Sequence, residues 1–467
     1  MDPVTVAALS SWHLDAGLLL MLAATAIVYV RGWRALRFQV ADRFPAWRAI
    51  AFLGGLLTLF VALASPLDAF SGFLLSAHMT QHLLLMMIAP PLLLLGCPSA
   101  PLLRGLPPRI VKPVLGPFLA WPALRRLGQR LTRPATAWLV FVAATWIWHL
   151  PGPYAMALYS PFWHWTEHAC FFTTALLFWW PVVLPWPSRA AWPTAAIVAY
   201  LLLADIQNTA LSAIFAFSER VIYPPYAAAP RLWNFSVQDD QIAAGAIMWV
   251  PGSIAFLLPV AILVVRMLES PHTAPRVRPS DVAAVVLACA LFAVPGPAIA
   301  DGGKVQLSET AGPFRVSIFT LPNPLRTHAV DISVMVQPLA DWRPLLDAHV
   351  ELELERIGEP IAELDAKPDA ERAPGELSAT TVHVDATRED AHNKLLYAAH
   401  FHVHQAGTWS LRTFVRHGDD HATVTSSLEI WPTPWWMHMP GSGLLLALAA
   451  LGLISINLRL KRFDPDT

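Results

Sequence analysis

Stretches of predominantly apolar residues recur along the first 270 positions, near 13–31, 47–66, 73–96, 134–151, 162–184, 193–217 and 240–266. A hydrocarbon core ~30 Å thick takes ~20 residues of helix to cross. Each stretch has about that length, so seven helices are expected in the first 270 residues. Two further apolar segments follow, at 281–299 and 442–458. Composition agrees: 55% of the 467 residues are hydrophobic and 14% are charged. That is too apolar for a soluble enzyme of this size. The chain is rich in tryptophan, as aromatic belts at membrane interfaces require. No basic tract points to nucleic acid. Cys97, Cys170 and Cys289 form no CxxC, so neither a disulfide framework nor a thiolate zinc site is indicated.

Loop charges set the expected orientation. The first loop carries Arg31, Arg34, Arg37, Arg43 and Arg48, and the third carries Arg104, Arg109, Lys112 and further arginines. Arg189 lies in the fifth, and Arg266, Arg276 and Arg278 follow the seventh helix. Loops two and four, "SPLDAF" and "PGPYAMALYSP", hold no Lys or Arg. The positive-inside rule therefore puts the odd loops and the C-terminus in the cytoplasm and the N-terminus outside. On that topology only His272 of the 17 histidines is cytoplasmic.

Residues 271–300 read either as a signal-like segment, with a basic start, an apolar middle and an Ala-x-Ala end, or as an eighth transmembrane helix. Both readings place residues 301–434 outside. There the pattern turns polar and alternating, as in "FRVSIFTL", "AVDISVMVQ", "HVELELERI", "LYAAHFHVH" and "WSLRTFVRH". Period-two alternation predicts an antiparallel β-sandwich. Residues 363–378 read as a loop, and 435–467 as a C-terminal transmembrane anchor. The expected fold is thus an all-α polytopic membrane bundle over 1–270, joined to a periplasmic β-sandwich flanked by two hydrophobic helices.

The chemistry-bearing residues are histidines. His78 and His82, and again His164 and His168, stand four apart, so each pair shares a helix face and can hold one metal ion. A lone pair is more often a packing feature. Two pairs with His149, all at similar depth on one side of the bundle, point to a shallow outer-leaflet metal site. Imidazoles with the Met79 thioether nearby favour copper, especially Cu(I). Glu167 could orient a histidine or simply reach water. Asp239, Asp240 and Gln241 open the seventh helix, where carboxylates cap free N–H groups or support the site. Asp205, mid-span beside Asn208, could relay, bind or pair with a neighbouring helix. On the sandwich, His400, His402 and His404 fall on one face of a strand, a second possible metal site or a solvated polar face. Met437–Met439 is a further soft-metal patch or an interface anchor. No Walker loop, GxSxG or Ser/His/Asp arrangement appears, so ligation is expected rather than enzymatic catalysis.

Three blocks resemble one family: "HMTQHLLLMMIAPPLLLLG", "WHLPGPYAMALYSPFWHWTEHACFFTTALLFWWPVV" and "YPPY…DDQIAAGAIMWVPG". They are similar to the signature blocks of the multi-span CtaG family of cytochrome c oxidase assembly factors, over roughly residues 10–268. The resemblance implies a seven-helix bundle in the bacterial plasma membrane that serves formation of haem-copper oxidase, most directly by copper supply to its buried copper centre. Its partners would be the oxidase subunit carrying that centre and periplasmic copper chaperones. Carried over by position, the motif residues are His78, Gln81, His82, His149, His164, Glu167, His168, Asp240 and Gln241. The family more often has Glu-Asp-Gln where this chain has Asp239-Asp240-Gln241, which keeps the charge. The part after 276 resembles small periplasmic immunoglobulin-like modules encoded near copper and oxidase-assembly genes. Two rival functions stay open. One is a membrane haem oxidoreductase with paired histidines as axial ligands. The other is a copper transporter, disfavoured because the inner half offers few polar groups beyond Asp205 and Asn208.

Overall fold

Proline punctuates the helical part of the chain. Pro66, Pro134, Pro151 and Pro161 each stand in the first turn of a helix, where a missing N–H costs nothing and the fixed φ suits helical backbone. The computed structural model describes residues 3–269, apart from 187, 189, 233 and 234, and residues 304–433, apart from 328, 329 and 358–380. Segment 271–300, with His272 and Cys289, lies outside the described residues, as do Arg189, the expected loop 363–378, Met437–Met439 and the expected anchor 435–467.

The main helices are α1 (Ala16–Gln39), α2 (Ala46–Ala64), α3 (Leu75–Leu95), α4 (Pro134–Trp148), α5 (Pro161–Val183), α6 (Thr194–Phe217) and α7 (Val237–Glu269). Among the described residues, five of them are long and apolar enough to cross a membrane: α1, α2, α3, α6 and α7. Their outward faces present Leu20, Ile27, Ile50, Leu57, Ile206 and Ile254, all exposed, as suits a lipid solvent. α3 is the central span, with 61% of its apolar window buried against 17–39% for the other four. It packs against α2, α5 and α7. Gly245 lets α6 and α7 close together, since a Cβ there would sit 2.6 Å from the Ala216 backbone nitrogen.

Several loops expected from the sequence are helical. α1 continues through Arg31, Arg34 and Arg37 to Gln39, because "RGWRALRFQ" is rich in good helix formers and Arg37 lies over the Trp33 ring. "PGPYAMALYS" forms the helix Pro151–Tyr159, and "PLDAFS" the helix Pro66–Ser71.

α3 is not uniform. Leu84–Ile88 is a π turn, followed after Ala89 by Pro90 and Pro91. A proline at 90 cannot donate to the carbonyl four residues back, and the Met86 carbonyl instead accepts the Trp179 indole N–H at 2.9 Å. Met86 and Met87 are both buried.

The second unit is β-rich. Its strands are β1 (Lys304–Ala311), β2 (Phe314–Leu321), β3 (Leu325–Arg326), β4 (Val330–Pro338), β5 (His349–Arg356), β6 (Thr381–Ala386), β7 (Tyr397–Phe401), β8 (Gly407–His417) and β9 (Asp420–Trp431). They form one sheet in the order β1-β2-β4-β7 and another in the order β3-β9-β8-β5-β6. Pairing is antiparallel except for the short β3–β9 contact. Val316, Val334 and Phe401 from the first sheet share one core with Val350, Leu411 and Ile430 from the second. β9 alternates as period two requires, whereas β2 and β4 are buried along nearly their whole length. Segments Met1–Trp12 and Ala228–Phe235 cluster with this unit. Within it, Lys394 N–H donates to Ser11 Oγ (2.9 Å) and Gln337 Nε2 to the Arg231 carbonyl (3.0 Å). Burial pushes the Tyr397 phenol up to about 12 while it donates to the Leu345 carbonyl (3.0 Å).

Candidate metal centre

The four-residue spacing of His78 and His82 does what helix geometry dictates. Both rings leave one face of α3, with centroids 4.4 Å apart. The first two turns of α5 bring the second pair, His164 and His168, with centroids 4.2 Å apart. Glu167 directly precedes His168 and is wholly buried. Its Oε2 lies 3.5 Å from His78 Nε2 and 3.7 Å from His82 Nε2. One donor atom from each of His78, His82, Glu167 and His168 falls within 4.8 Å of all the others. It is the one such group of His, Cys, Asp and Glu side chains among the described residues.

The hydrogen-bond inventory marks this group as unusual. His78 Nε2, both ring nitrogens of His82, His168 Nε2 and both Glu167 oxygens are buried without a hydrogen bond. The flanking His149 Nε2 and His164 Nε2 are in the same condition. Buried polar atoms are almost always hydrogen-bonded, and each orphan costs ~1–3 kcal/mol. A cluster of them aimed at one point needs a physical explanation.

The outer sides of two rings are fixed. His149, the residue that ends α4, donates Nδ1–H to the Thr145 carbonyl at 2.7 Å, which leaves Nε2 with its lone pair. His78 is set by two phenols. Tyr226 spends its hydrogen on the Ser71 carbonyl (2.7 Å), so its oxygen accepts from its other neighbours. Those neighbours are Tyr154 Oη at 2.8 Å and His78 Nδ1 at 3.2 Å. Tyr154 Oη lies 3.0 Å from the same nitrogen. The only assignment without two acceptors facing each other has Tyr154 donating to Tyr226 and His78 donating Nδ1–H. On a neutral His78 ring the Nε2 lone pair would face Glu167, as in metal-binding histidines whose other N–H is donated outward.

The remaining polar residues act on the scaffold. Asp240, in the first turn of α7, accepts from the Leu75 N–H (2.6 Å), the Ser76 N–H (3.1 Å) and Ser76 Oγ (2.5 Å). It therefore caps α3, the helix that carries His78 and His82, rather than its own. α7 is capped by Ser236, whose Oγ accepts from the Asp239 N–H at 3.0 Å. Gln241 accepts from the Ile222 N–H (2.8 Å) and donates to the Arg220 carbonyl (3.1 Å), pinning the loop that leads into the short helix Pro224–Ala228 with Tyr226. Gln81 donates to the Ala62 carbonyl and to Asp68, both at 2.8 Å.

Other residues singled out from sequence lie elsewhere. Met79 is buried beside Tyr154 and lines a small cavity with His82, outside the four-donor group. Asp205 keeps one buried oxygen without a hydrogen bond, and Asn208 donates to the Met248 carbonyl at 3.0 Å. In the β unit, β7 ends at Phe401, so only His400 lies in the strand. The alternation continues past it: His400, His402 and His404 are exposed, Phe401 and Val403 buried. His400 Nδ1 is held 2.6 Å from Asp331 Oδ1. Tyr154, Tyr226 and Ser71 have no signal in sequence spacing, since each meets His78 only through the tertiary fold.

With that geometry in hand, comparison with known proteins decides the family. The model described as cytochrome c oxidase caa3 assembly factor (Caa3_CtaG) matches residues 27–270. The chain belongs to this family. All four members of the donor group fall inside the Caa3_CtaG region. Two similar relatives are uncharacterised proteins of Mycobacterium bovis, 28% identical over 281 residues, and Mycobacterium leprae, 27% identical over 271 residues. The matches cover 57% and 55% of this chain, and 40% and 39% of those proteins. The chain thus spans well under half the length of the curated relatives it matches. Among solved structures, the soluble domain of PmoD from a Methylocystis species covers 27% of this chain and 97% of its own, at 16% identity and a TM-score of 0.18. So low a score carries no structural argument.

Proposed function

We propose that this Caa3_CtaG protein is a non-enzymatic assembly factor that holds copper at His78, His82, Glu167 and His168 and hands it to the copper centre of a haem-copper oxidase. The observation that carries the reading is the convergence of one donor atom from each of four buried side chains within 4.8 Å, in a group where His78 Nε2, both His82 nitrogens, His168 Nε2 and both Glu167 oxygens have no hydrogen bond. Imidazole nitrogen suits copper. The charge balance favours Cu(I): three neutral imidazoles and one carboxylate make a site of charge −1, which a monovalent ion neutralises and a divalent ion does not. Inside lipid a neutral complex is strongly preferred. His149 and His164 flank the group and serve as intermediate ligands during exchange. Met79 stands beside His82 as a softer donor. Tyr154, Tyr226, Asp240 and Gln241 hold the rings in place.

In this reading α4 and α5 complete a seven-helix span, and the N-terminus and the β-sheet unit face the periplasm. The unit is a β-sandwich that meets copper chaperones there, with His400, His402 and His404 on its outer face. The same geometry speaks against a haem site. A porphyrin plane between two axial imidazoles would leave no place for two further donors within 4.8 Å.

The test is metal analysis of the purified full chain, with oxidase activity measured in a strain lacking the native copy. The wild type is expected to bind copper stoichiometrically without a Soret band. His82→Ala and His168→Ala are expected to insert normally yet lose copper and abolish oxidase maturation. Full oxidase activity with both variants, or a Soret band in the purified protein, would overturn the proposal.

A further inference from the structure

One helical turn beyond the four-donor group, the π turn of α3 opens onto a cavity of about 30 Å³. That is about twice the roughly 10–15 Å³ that one water needs. Its lining includes Met79, Met86, Met87 and Met248 together with His82 and His149. Four thioethers around so small a space would by themselves be ordinary core packing. The two histidines argue otherwise. His82 and His149 are 3% and 7% exposed, their ring centroids are 6.1 Å apart, and each has a ring nitrogen without a hydrogen bond. His149 Nδ1 is already used by the Thr145 carbonyl, so the orphan there is Nε2. His82 has both nitrogens unsatisfied, one of them close to Glu167.

The backbone around the cavity is also built rather than incidental. The π turn of α3 carries Met86 and Met87 in succession, and both are buried. π turns of this kind concentrate at functional sites. The Met86 carbonyl is held by Trp179 and the Met248 carbonyl by Asn208 Nδ2. Each helix that offers a thioether is therefore fixed at that residue by a polar side chain from a neighbour.

We propose that this cavity is a second metal site, selective for a soft monovalent cation such as Cu(I) or Ag(I), ligated by His82, His149, Met86 and Met248. It takes from the proposed function the choice of copper, and it shares His82 with the four-donor group. His82 is then the hinge of a relay: its two nitrogens serve the nitrogen/oxygen group and the nitrogen/sulfur cavity in turn. A thioether carries no charge and binds Cu(I) far better than Zn²⁺ or Mg²⁺. The cavity therefore filters by softness where the Glu167 group filters by charge.

The test uses the full chain in detergent, loaded anaerobically with Cu(I), and in parallel with Ag(I), and read by X-ray absorption. Sulfur neighbours are expected at the metal in the wild type. Met86→Leu/Met248→Leu is expected to remove the sulfur signal and weaken Cu(I) binding at least ~10-fold against a competing chelator, since loss even of a group supporting a ligand costs that much. Leucine nearly conserves the methionine volume, and a melting curve checks the fold. Glu167→Gln is expected to keep the sulfur signal. A wild-type metal with only nitrogen and oxygen neighbours, or a double variant that binds like wild type, would overturn this inference. If that metal is lost in Glu167→Gln, the four-donor site stands without the cavity. If sulfur-ligated metal is present and Glu167→Gln loses no copper at all, the cavity stands and the four-donor reading fails.

Discussion

Histidines in the two units of this chain keep different company. In the β-sheet unit His349, His383, His400 and His417 lie against Asp385, Glu351, Asp331 and Asp347, with their side chains 37–55% exposed. In the helical unit His78, His82 and His168 crowd around one carboxylate, at 0–4% exposure and with no hydrogen bond between ring and carboxylate. Water screens the first arrangement, and surface pairs of that kind are worth ~0–1 kcal/mol. The second has no solvent to screen it and too few acceptors to satisfy its rings. The comparison teaches that residue type alone says little about ligation. The ratio of imidazole to carboxylate, at a given burial, says more.

The sharpest way to break the comparison is Glu167→Gln, which keeps shape and removes the one charge. Copper affinity of the nitrogen/oxygen group is expected to fall ~100-fold or more, with loss of oxidase maturation, because a cation would sit uncompensated in a dry site. Unchanged affinity by chelator competition would mean that charge balance has no part in the site. A smaller effect is expected from Tyr226→Phe, which frees His78 to take the other tautomer. Loss of such an outer partner typically costs 10- to 100-fold, so about tenfold weaker copper is the expected result, beside a modest drop in melting from the Ser71 carbonyl left without its donor. A shift in melting alone would make Tyr226 a packing residue. The smallest effect belongs to the other side of the comparison. His400→Ala is expected to change stability by under ~1 kcal/mol and to leave copper stoichiometry as it was. A lost copper equivalent there would give the β unit a site of its own.

Much of the helical pattern was legible because apolar length and i,i+4 spacing are local properties. "HMTQH" and "WHWTEH" carry the ring pairs on their face without help from the fold. Glu167 was visible as a candidate, but its place among the donors was not, since only the meeting of α3 and α5 brings its oxygen to both His78 and His82. Asp240 reads in sequence as a cap of its own helix or a support of the site; its carboxylate instead caps α3, whose Leu75 lies 165 positions away along the chain. The phenols were hidden for the same reason: Tyr154 and Tyr226 are 72 positions apart and act only together. The helix Pro151–Tyr159 was missed because a proline-rich stretch between two spans looks like a plain connection.

Asp240 belongs to one helix and terminates another, and that double membership works as a latch. Sliding α3 along α7 would break three bonds to a single carboxylate at once, each stronger than its neutral counterpart. The imidazole pair on α3 therefore hangs from a clamped end. On the proposed reading, an ion held between α3 and α5 would therefore be exchanged past an α3 whose end is tied down, so ring turning or movement on the α5 side carries the exchange.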